Sequence, residues 1–349
     1  MNIPVLVTGG SGFIASHLIP RLVREGKQVR ILDLFPPPMA RSKVEFVQGD
    51  VRDVNAVRRA LAGCTEVYHL AAAHHDVGLA RDTYFDVNVN GTRVLCETMH
   101  EAGVRDLCFT STVAVYGGTP APRDEEATPS PSNPYGQSKL DAEGVVRLWA
   151  AADTMRRALV IRPSVVFGPD NFANMYALIR QIQRRLFVPV GRGDNVKSVV
   201  YVENLIDAIR HLWGQTREGF HLFNVVDKPD PTSEEITRLV YEGLGRRPPV
   251  LRIPLPVALA AAVPFEMMSF LTRRTLPVSR FRIRKFAEAE TQFEADRLRA
   301  TGFQSKCSTA EGLRRTVAWV VQHGSKQAPR VHLPPATPVT QFAAGSPVT

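Results

Sequence analysis

Cysteine is scarce and scattered in this chain. Its four thiols, Cys64, Cys96, Cys108 and Cys307, lie far apart with no Cys-x-x-Cys pair, so neither a disulfide framework nor a zinc site is indicated and a reducing cytoplasm is the expected compartment. No secretory leader is expected either, because Ile3 to Val7 runs at once into glycines without a charged region or cleavage site. Long apolar runs are absent except for Leu255 to Leu271, which holds Glu266 and is broken by Pro256 and Pro264. A spanning helix needs about 20 apolar residues, so this segment reads as a buried helix, with peripheral membrane contact as the alternative. There is no internal repeat and no basic stripe interleaved with aromatics, which excludes nucleic acid as an expected partner. Acidic residues are outnumbered, 34 against 43 Lys and Arg, leaving a formal charge of +9 that suits a phosphorylated small molecule.

What is present is ordinary globular composition arranged in an alternating pattern. Short β-branched runs at Pro4–Thr8, Gln28–Asp33, Val44–Gln48, Glu66–Leu70, Leu107–Ser111 and Ala158–Arg162 read as strands. Between them, Phe13–Arg24, Asp53–Ala62, Tyr84–Glu101 and Pro134–Ala152 have helical period. This is the signature of an α/β fold with a doubly wound parallel sheet. After Pro163 the rhythm changes to Pro- and Gly-bounded segments, with helices near Asn174–Arg185 and Ser233–Gly243 and a basic run Arg273–Lys285. The expected division is a dinucleotide domain over 1–167, with a segment at about 195–217 returning to it, and a smaller C-terminal substrate lobe over 168–325. A Pro-rich disordered tail is expected at 326–349.

The first strand runs into Thr8-Gly9-Gly10-Ser11-Gly12-Phe13-Ile14-Ala15. Gly9 permits a tight turn, Gly12 lets helix N-terminal N–H groups approach a pyrophosphate, and Ala15 allows close helix–strand packing. Phe13 and Ile14 pack near the pyrophosphate or serve the core. About twenty residues on, Asp33 ends the second strand, where a carboxylate binds a ribose 2′-hydroxyl and repels a 2′-phosphate. With no cation in Leu34-Phe35-Pro36, NAD is favoured over NADP. In Gly49-Asp50-Val51, Asp50 and Val51 stand where adenine would lie, the alternative for Asp50 being a cap on the next helix.

Tyr135 and Lys139 stand four apart, on one face of a predicted helix. A phenol with an ordinary pKa of ~10 needs nearby positive charge to act as a base at neutral pH. Upstream, Thr110-Ser111-Thr112 puts hydroxyls at the carboxyl end of the fifth strand, where such sheets bind ligands. His69, His74 and His75 carry no spaced third ligand, and no metal is expected.

Together these residues resemble the extended short-chain dehydrogenase/reductases, specifically the NAD-dependent epimerase/dehydratase family with its Rossmann sheet. The likeness spans residues 3 to about 323. Beyond the glycine turn it rests on Gly49-Asp50-Val51, His69-Leu70-Ala71-Ala72, Asn88-Val89-Asn90-Gly91-Thr92, Val115-Tyr116-Gly117, Tyr135-x-x-x-Lys139 and Ser198-Val199-Val200-Tyr201-Val202 with Asn204. The resemblance implies that Thr112 hydrogen-bonds the reacting hydroxyl, Tyr135 is the acid/base, and Lys139 binds the nicotinamide ribose and lowers the Tyr135 pKa. It further implies that Ala71 and Ala72 line the cofactor, that His74 lies on the loop facing nicotinamide, and that Asn88 is structural. Homodimerisation through the helices at 84–101 and 134–152 follows from the same likeness.

Family dehydratases carry Asp-Glu after the active-site Thr, and related decarboxylases Ser-Glu. Val113 and Ala114 stand here and cannot transfer a proton, which disfavours both reactions. The turn after the sixth strand has Val165 where epimerases often have Asn, a form similar to members performing net oxidation or reduction on sugar nucleotides or 3β-hydroxysteroids. Conversely, Val190-Gly191-Arg192-Gly193-Asp194-Asn195-Val196-Lys197 resembles the loop with which epimerases hold a diphosphate, with Lys197 in place of the usual Arg. Arg280, with Arg282 and Arg284, and Asn174 at the start of a second-lobe helix are further candidate substrate contacts. The expected substrate is a nucleotide diphosphate sugar and the expected reaction 4-epimerisation through a 4-keto intermediate. A net dehydrogenase or ketoreductase is the alternative, and an idle NAD-binding interaction protein a third reading.

Overall fold

In the computed structural model the described residues are 3–37, 44–74, 79–117, 119–272 and 291–324, with isolated positions at 280, 283, 334, 335, 337 and 338. The six expected strands form. They are β1 (Pro4–Thr8), β2 (Gln28–Asp33), β3 (Val44–Gln48), β4 (Glu66–His69), β5 (Asp106–Thr110) and β6 (Arg157–Pro163), with helices between all of them except β2 and β3, which no helix separates among the described residues. Helices α1 (Phe13–Arg24) and α2 (Val54–Leu61) follow β1 and β3. After β4 come α3 (Arg81–Phe85), a π turn (Asp86–Asn90) and α4 (Gly91–Glu101), which occupy the single helix expected over 84–101. Helix α5 (Pro134–Ala151) follows β5 and a 3₁₀ turn at Val113–Tyr116.

Beyond β6 lie β7 (Val165–Phe167), α6 (Asn174–Gln183), β8 (Val199–Tyr201), α7 (Val202–Gln215), β9 (Gly219–Val225) and α8 (Ser233–Gly243). Then come α9 (Leu255–Thr272), α10 (Asp296–Ala300) and α11 (Thr309–His323). The main sheet is parallel throughout in the order β3-β2-β1-β4-β5-β6-β9. Its seventh strand was not expected. The returning segment therefore runs past 217: β9 pairs with β6 from Arg157↔Gly219 to Pro163↔Val225, and α7 packs its buried Leu205, Ile209 and Leu212 on the same face as α1. Burial on both faces explains why the strands read as continuous apolar runs.

Because β1 lies between β2 and β4, the winding direction reverses there, and a crevice opens beyond the carboxyl ends of β1 and β4. A separate core joins Met175, Ile179 and Ile182 of α6, Val240 and Tyr241 of α8, and Leu313 and Val317 of α11. Phe13 at the start of α1 packs against that second core, whereas Ile14 packs on the sheet. The first turn of α1 thus tethers the two lobes.

Helix α9 departs from the expectation of burial. Ala258 and Ala262 are buried, one turn apart, but Pro256, Val257, Ala260, Ala261, Val263 and Pro264 are exposed. Over residues 256–264, two alanines face the protein and the opposite apolar face is open. Most of the basic run Arg273–Lys285, including Arg282 and Arg284, lies outside the described residues, as do His75 and most of the tail.

Candidate active site

The turn after β1 is shaped by close approach. Gly9 has φ +68°, and a Cβ on it would stand 2.6 Å from the Ala71 nitrogen, so a side chain there would meet both backbone strain and the end of β4. Gly12 is the N-cap of α1 and offers no side chain to the helix, leaving first-turn N–H groups and the positive end of the helix dipole for an anion. Asp33 accepts hydrogen bonds from the Ser11 N–H at 3.0 Å and the Phe35 N–H at 3.1 Å, which fixes its carboxylate beside the glycine turn. Ala71 and Ala72 are half-buried beyond β4, and the Ala71 N–H points to Thr8 Oγ1 at 3.4 Å. His74 is exposed, its Nδ1 3.3 Å from the Ala72 carbonyl oxygen. Val51 is buried.

Asp50 does not cap the next helix. Its two carboxylate oxygens accept from Arg52 Nε at 3.0 Å and Nη2 at 2.7 Å, while Asp53 caps α2 by accepting from the Asn55 N–H at 2.9 Å. Asp53 stands one residue before the helix, where a cap must be, and Asp50 four before it. Arg52 also donates to Asp86 at 2.6 Å and to the carbonyls of Pro335 and Thr337 at 3.0 and 3.2 Å, so described tail residues lie against this corner.

Thr112, Tyr135 and Lys139 are brought together by two elements. Thr112 leads the 3₁₀ turn, and its Oγ1 accepts from the Ala114 N–H at 3.1 Å, so its O–H remains a donor. Helix α5 starts at the Asn133 cap, whose side chain accepts from the Gly136 N–H at 2.8 Å. A Cβ on Gly136 would be 2.5 Å from the Ala114 carbonyl oxygen, so the first turn of α5 rests directly on the turn that Thr112 begins. Tyr135 is half-buried with its ring centre 6.5 Å from that of Tyr84. One turn along, Lys139 is buried at 1% exposure, its Nζ 4.1 Å from the centre of the Phe109 ring. It makes no hydrogen bond with any described residue, and burial pushes its pKa down to about 7 against the opposing pull of Glu143.

Beneath these side chains runs a buried polar network that residue-by-residue reading of the sequence missed. Glu143, one turn beyond Lys139, accepts from the Ser111 hydroxyl at 2.5 Å and from Arg162 Nε and Nη2 at 2.9 and 2.6 Å. Arg162 Nη1 donates to the Tyr116 hydroxyl at 2.8 Å, which donates to Asn224 on β9 at 2.9 Å. The spacing Tyr135, Lys139, Glu143 along one helix face was the available signal. Asn88 in the π turn accepts from the Ala73 N–H at 2.8 Å and donates to Ser138 at 2.9 Å, tying the loop after β4 to α5. His69 bridges Thr8 at 2.6 Å and Thr92 at 3.0 Å, and complete burial pushes its pKa down to about 3. That is a structural histidine. Among the described residues no cluster of His, Cys, Asp and Glu is placed to hold a metal.

The substrate candidates are less concentrated. Lys197 is half-buried at the end of its loop, with its N–H donating to the Pro231 carbonyl at 2.9 Å. Asn174 is exposed on the first turn of α6, and the turn before that helix is made by Asn171, which accepts from the Ala173 N–H at 2.9 Å. Arg280 is an exposed residue paired with Glu266 of α9 at 2.7 Å.

An adenine dinucleotide fits these residues: the glycine turn and bare helix N-terminus suit a pyrophosphate, Asp33 a ribose diol, and buried Lys139 a hydroxylated partner. The profile of the NAD dependent epimerase/dehydratase family matches residues 5–225. The chain belongs to that family. It is an enzyme, and NAD is its cofactor. A curated relative, the N-acetyl-α-D-glucosaminyl-diphospho-ditrans,octacis-undecaprenol 4-epimerase of Escherichia coli O157:H7, is 37% identical over 93% of this chain and 98% of its own length. A 3β-hydroxysteroid dehydrogenase/Δ5→4-isomerase of Mycobacterium tuberculosis is 31% identical over 72% of each chain. Among solved structures, the UDP-glucose 4-epimerase of Thermus thermophilus in complex with NAD superposes with a TM-score of 0.72 at 26% identity, covering 92% of this chain and 99% of that one.

Proposed function

We propose that this enzyme is a 4-epimerase of sugars carried on a diphosphate, and that the carrier it prefers is a polyprenol rather than a nucleoside. The observation that carries this reading is the 37% match along nearly the whole of both chains to an epimerase of a lipid-diphospho-N-acetylglucosamine. The residues after Thr112 agree with epimerisation, since Val113 and Ala114 supply no proton-transfer group for dehydration.

Tyr135 removes the proton from the sugar 4-hydroxyl, and the Thr112 O–H steadies the oxygen from which it leaves. NAD held by the glycine turn and Asp33 would supply the hydride acceptor for carbon 4 and the hydride donor that restores it. Lys139 holds an ammonium near the phenol and favours the phenolate, while Glu143 keeps that ammonium charged in a buried setting. The ketone turns within the site while its diphosphate stays at Lys197, and Tyr135 returns the proton to the opposite configuration. The remaining contacts follow the expectations from sequence: Gly9, Gly12, Phe13, Ile14, Val51, Ala71, Ala72 and His74 around the cofactor, with Asp33 on the adenosine ribose. Asp50 shapes the adenine end through Arg52. Two copies pair through α4 and α5, and the enzyme works in the cytoplasm.

The test is product analysis with prenyl-diphospho-N-acetylglucosamine and UDP-N-acetylglucosamine. Interconversion of the gluco and galacto forms without net reduced NAD is expected, faster on the prenyl substrate, and Tyr135→Phe should lower turnover by roughly a hundredfold or more. The exposed Val165 and the steroid-dehydrogenase relative favour a second reading, net oxidation, which stoichiometric reduced NAD would establish in place of the first.

A further inference from the structure

The second lobe carries an apolar surface that the reaction does not use. Val250 is fully exposed, Leu251 80%, Leu186 70%, Val257 56% and Val188 50%. Monomeric proteins expose such side chains singly but rarely in one contiguous patch. The segments that carry them lie side by side. Val190 and Ile253 form a parallel bridge, with the Ile253 N–H donating to Pro189 and the Gly191 N–H donating to Ile253. Two residues before that bridge on the two segments stand Val188 and Leu251. Ahead of these segments, Arg246 donates to the carbonyls of Ile182 and Gln183 at the end of α6, both at 2.9 Å. Two residues after Ile253, α9 begins, and its open face of Pro256, Val257, Ala260, Ala261, Val263 and Pro264 extends the patch. No charged residue occurs between Arg252 and Glu266.

Three features say what covers it. First, Arg184 and Arg185 precede Leu186 and Arg247 stands three residues before Val250, all exposed and none in an ion pair with a described residue, so the unpaired charge beside these apolar residues is cationic. Second, α9 is apolar on its open face and too interrupted to span: among the described residues no helix is long and apolar enough to cross a membrane. An apolar face bordered by arginines suits the boundary between headgroups and acyl chains. Third, the patch continues into the Lys197 loop, since Gly191 is bonded to Ile253 and Arg252 donates to the Arg192 carbonyl. A substrate held by its diphosphate in that loop has a short path for its lipid to the apolar strip.

We propose that this surface docks on an anionic phospholipid bilayer, with α9 and Val250–Leu251 entering the interface and Arg184, Arg185 and Arg247 meeting the headgroups. Docking is carried by the patch itself; that it delivers substrate to the loop rests on the lipid-diphosphate reading above. Each arginine contributes roughly a fivefold change in partitioning at such a surface.

The experiment is co-sedimentation of the full chain with phosphatidylcholine vesicles, with and without phosphatidylglycerol. Binding that requires phosphatidylglycerol is expected. Val257→Glu with Ala261→Glu should abolish it, and Arg184→Ser, Arg185→Ser and Arg247→Ser together should weaken it at least tenfold, with circular dichroism and melting unchanged because all five sites are exposed. A wild-type chain left in the supernatant, or a Val257→Glu/Ala261→Glu variant that binds as well as wild type, overturns the proposal. So does a patch that instead joins two copies, seen as a larger assembly that Val257→Glu breaks without any vesicle binding. Failure of the epimerase reading is separate: the variants are assayed on UDP-N-acetylglucosamine and on a short water-soluble prenyl diphosphate sugar, and inactivity of the wild type on both removes that reading while leaving the vesicle result as measured.

Discussion

Glu143→Gln is the substitution with the sharpest consequence for both stability and rate. The Glu143 and Arg162 side chains are 4% and 3% exposed and joined by two hydrogen bonds. Neutralising the carboxylate leaves a guanidinium buried with no counter-charge, which costs about 3–5 kcal/mol. At roughly 2 °C per kcal/mol for a chain of this size, the melting temperature should fall on the order of 6–10 °C. Adding Arg162→Met removes the stranded charge while leaving every hydroxyl of the network a partner. Ser111 can still donate to the amide oxygen that replaces the carboxylate, and Tyr116 still donates to Asn224. The double variant should therefore recover most of the loss, coming within about 1–2 kcal/mol of wild type by urea midpoint.

The same cycle reports on Lys139. Burial holds its pKa down at about 7, and Glu143 opposes that shift, so removing the carboxylate lowers the ammonium pKa further. Activity that needs the ammonium is lost as pH rises through this pKa, so the alkaline limb of kcat should move to lower pH in Glu143→Gln and back toward wild type when Arg162 is also neutralised. A merely structural pair would change melting without moving that limb. A cost under about 1 kcal/mol for the single substitution, or a double variant less stable than the single, would refute the stranded-charge account.

Asp33 should make NAD bind more tightly than NADP in calorimetric titration, and Asp33→Ser should narrow that preference; tighter NADP binding by the wild type would refute the role of the carboxylate. Sedimentation at micromolar concentration should give a dimer, and a monomer would remove the α4–α5 pairing. His69 gives an acid signature: its folded pKa of about 3 lies below its ordinary 6.5, so the unfolded chain binds the extra proton between those values. Stability is then complete above pH 6.5 and falls as pH drops, by about 2–3 kcal/mol between pH 6.5 and 4.5. Urea midpoints measured across that range should show a flatter slope for His69→Gln.

The sequence disclosed those features whose cause is local. The glycine turn, the Asp33 carboxylate and the six strands with their helices each follow from spacing within about twenty residues, and the structure has them within a residue or two, apart from the third helix, which starts early at Arg81. β9 was less visible because His221 and Asn224 interrupt its apolar pattern, and its partner β6 lies some sixty residues earlier. Helix α9 shows a different limit. A stretch that is apolar all round has no period to say which side is covered, and only the packing of Ala258 and Ala262 against the protein reveals it. The buried pair was legible in principle. Arg162 ends a strand whose preceding residues, Ala158 to Ile161, are all apolar, and an arginine in such a strand cannot be buried without a carboxylate nearby. Among the carboxylates of α5, the helix packed on that strand, Glu143 is the one on the face of Tyr135 and Lys139. Reading the charge as a demand for a partner, rather than Tyr-x-x-x-Lys as a complete motif, leads from the same residues to the group that keeps Lys139 charged.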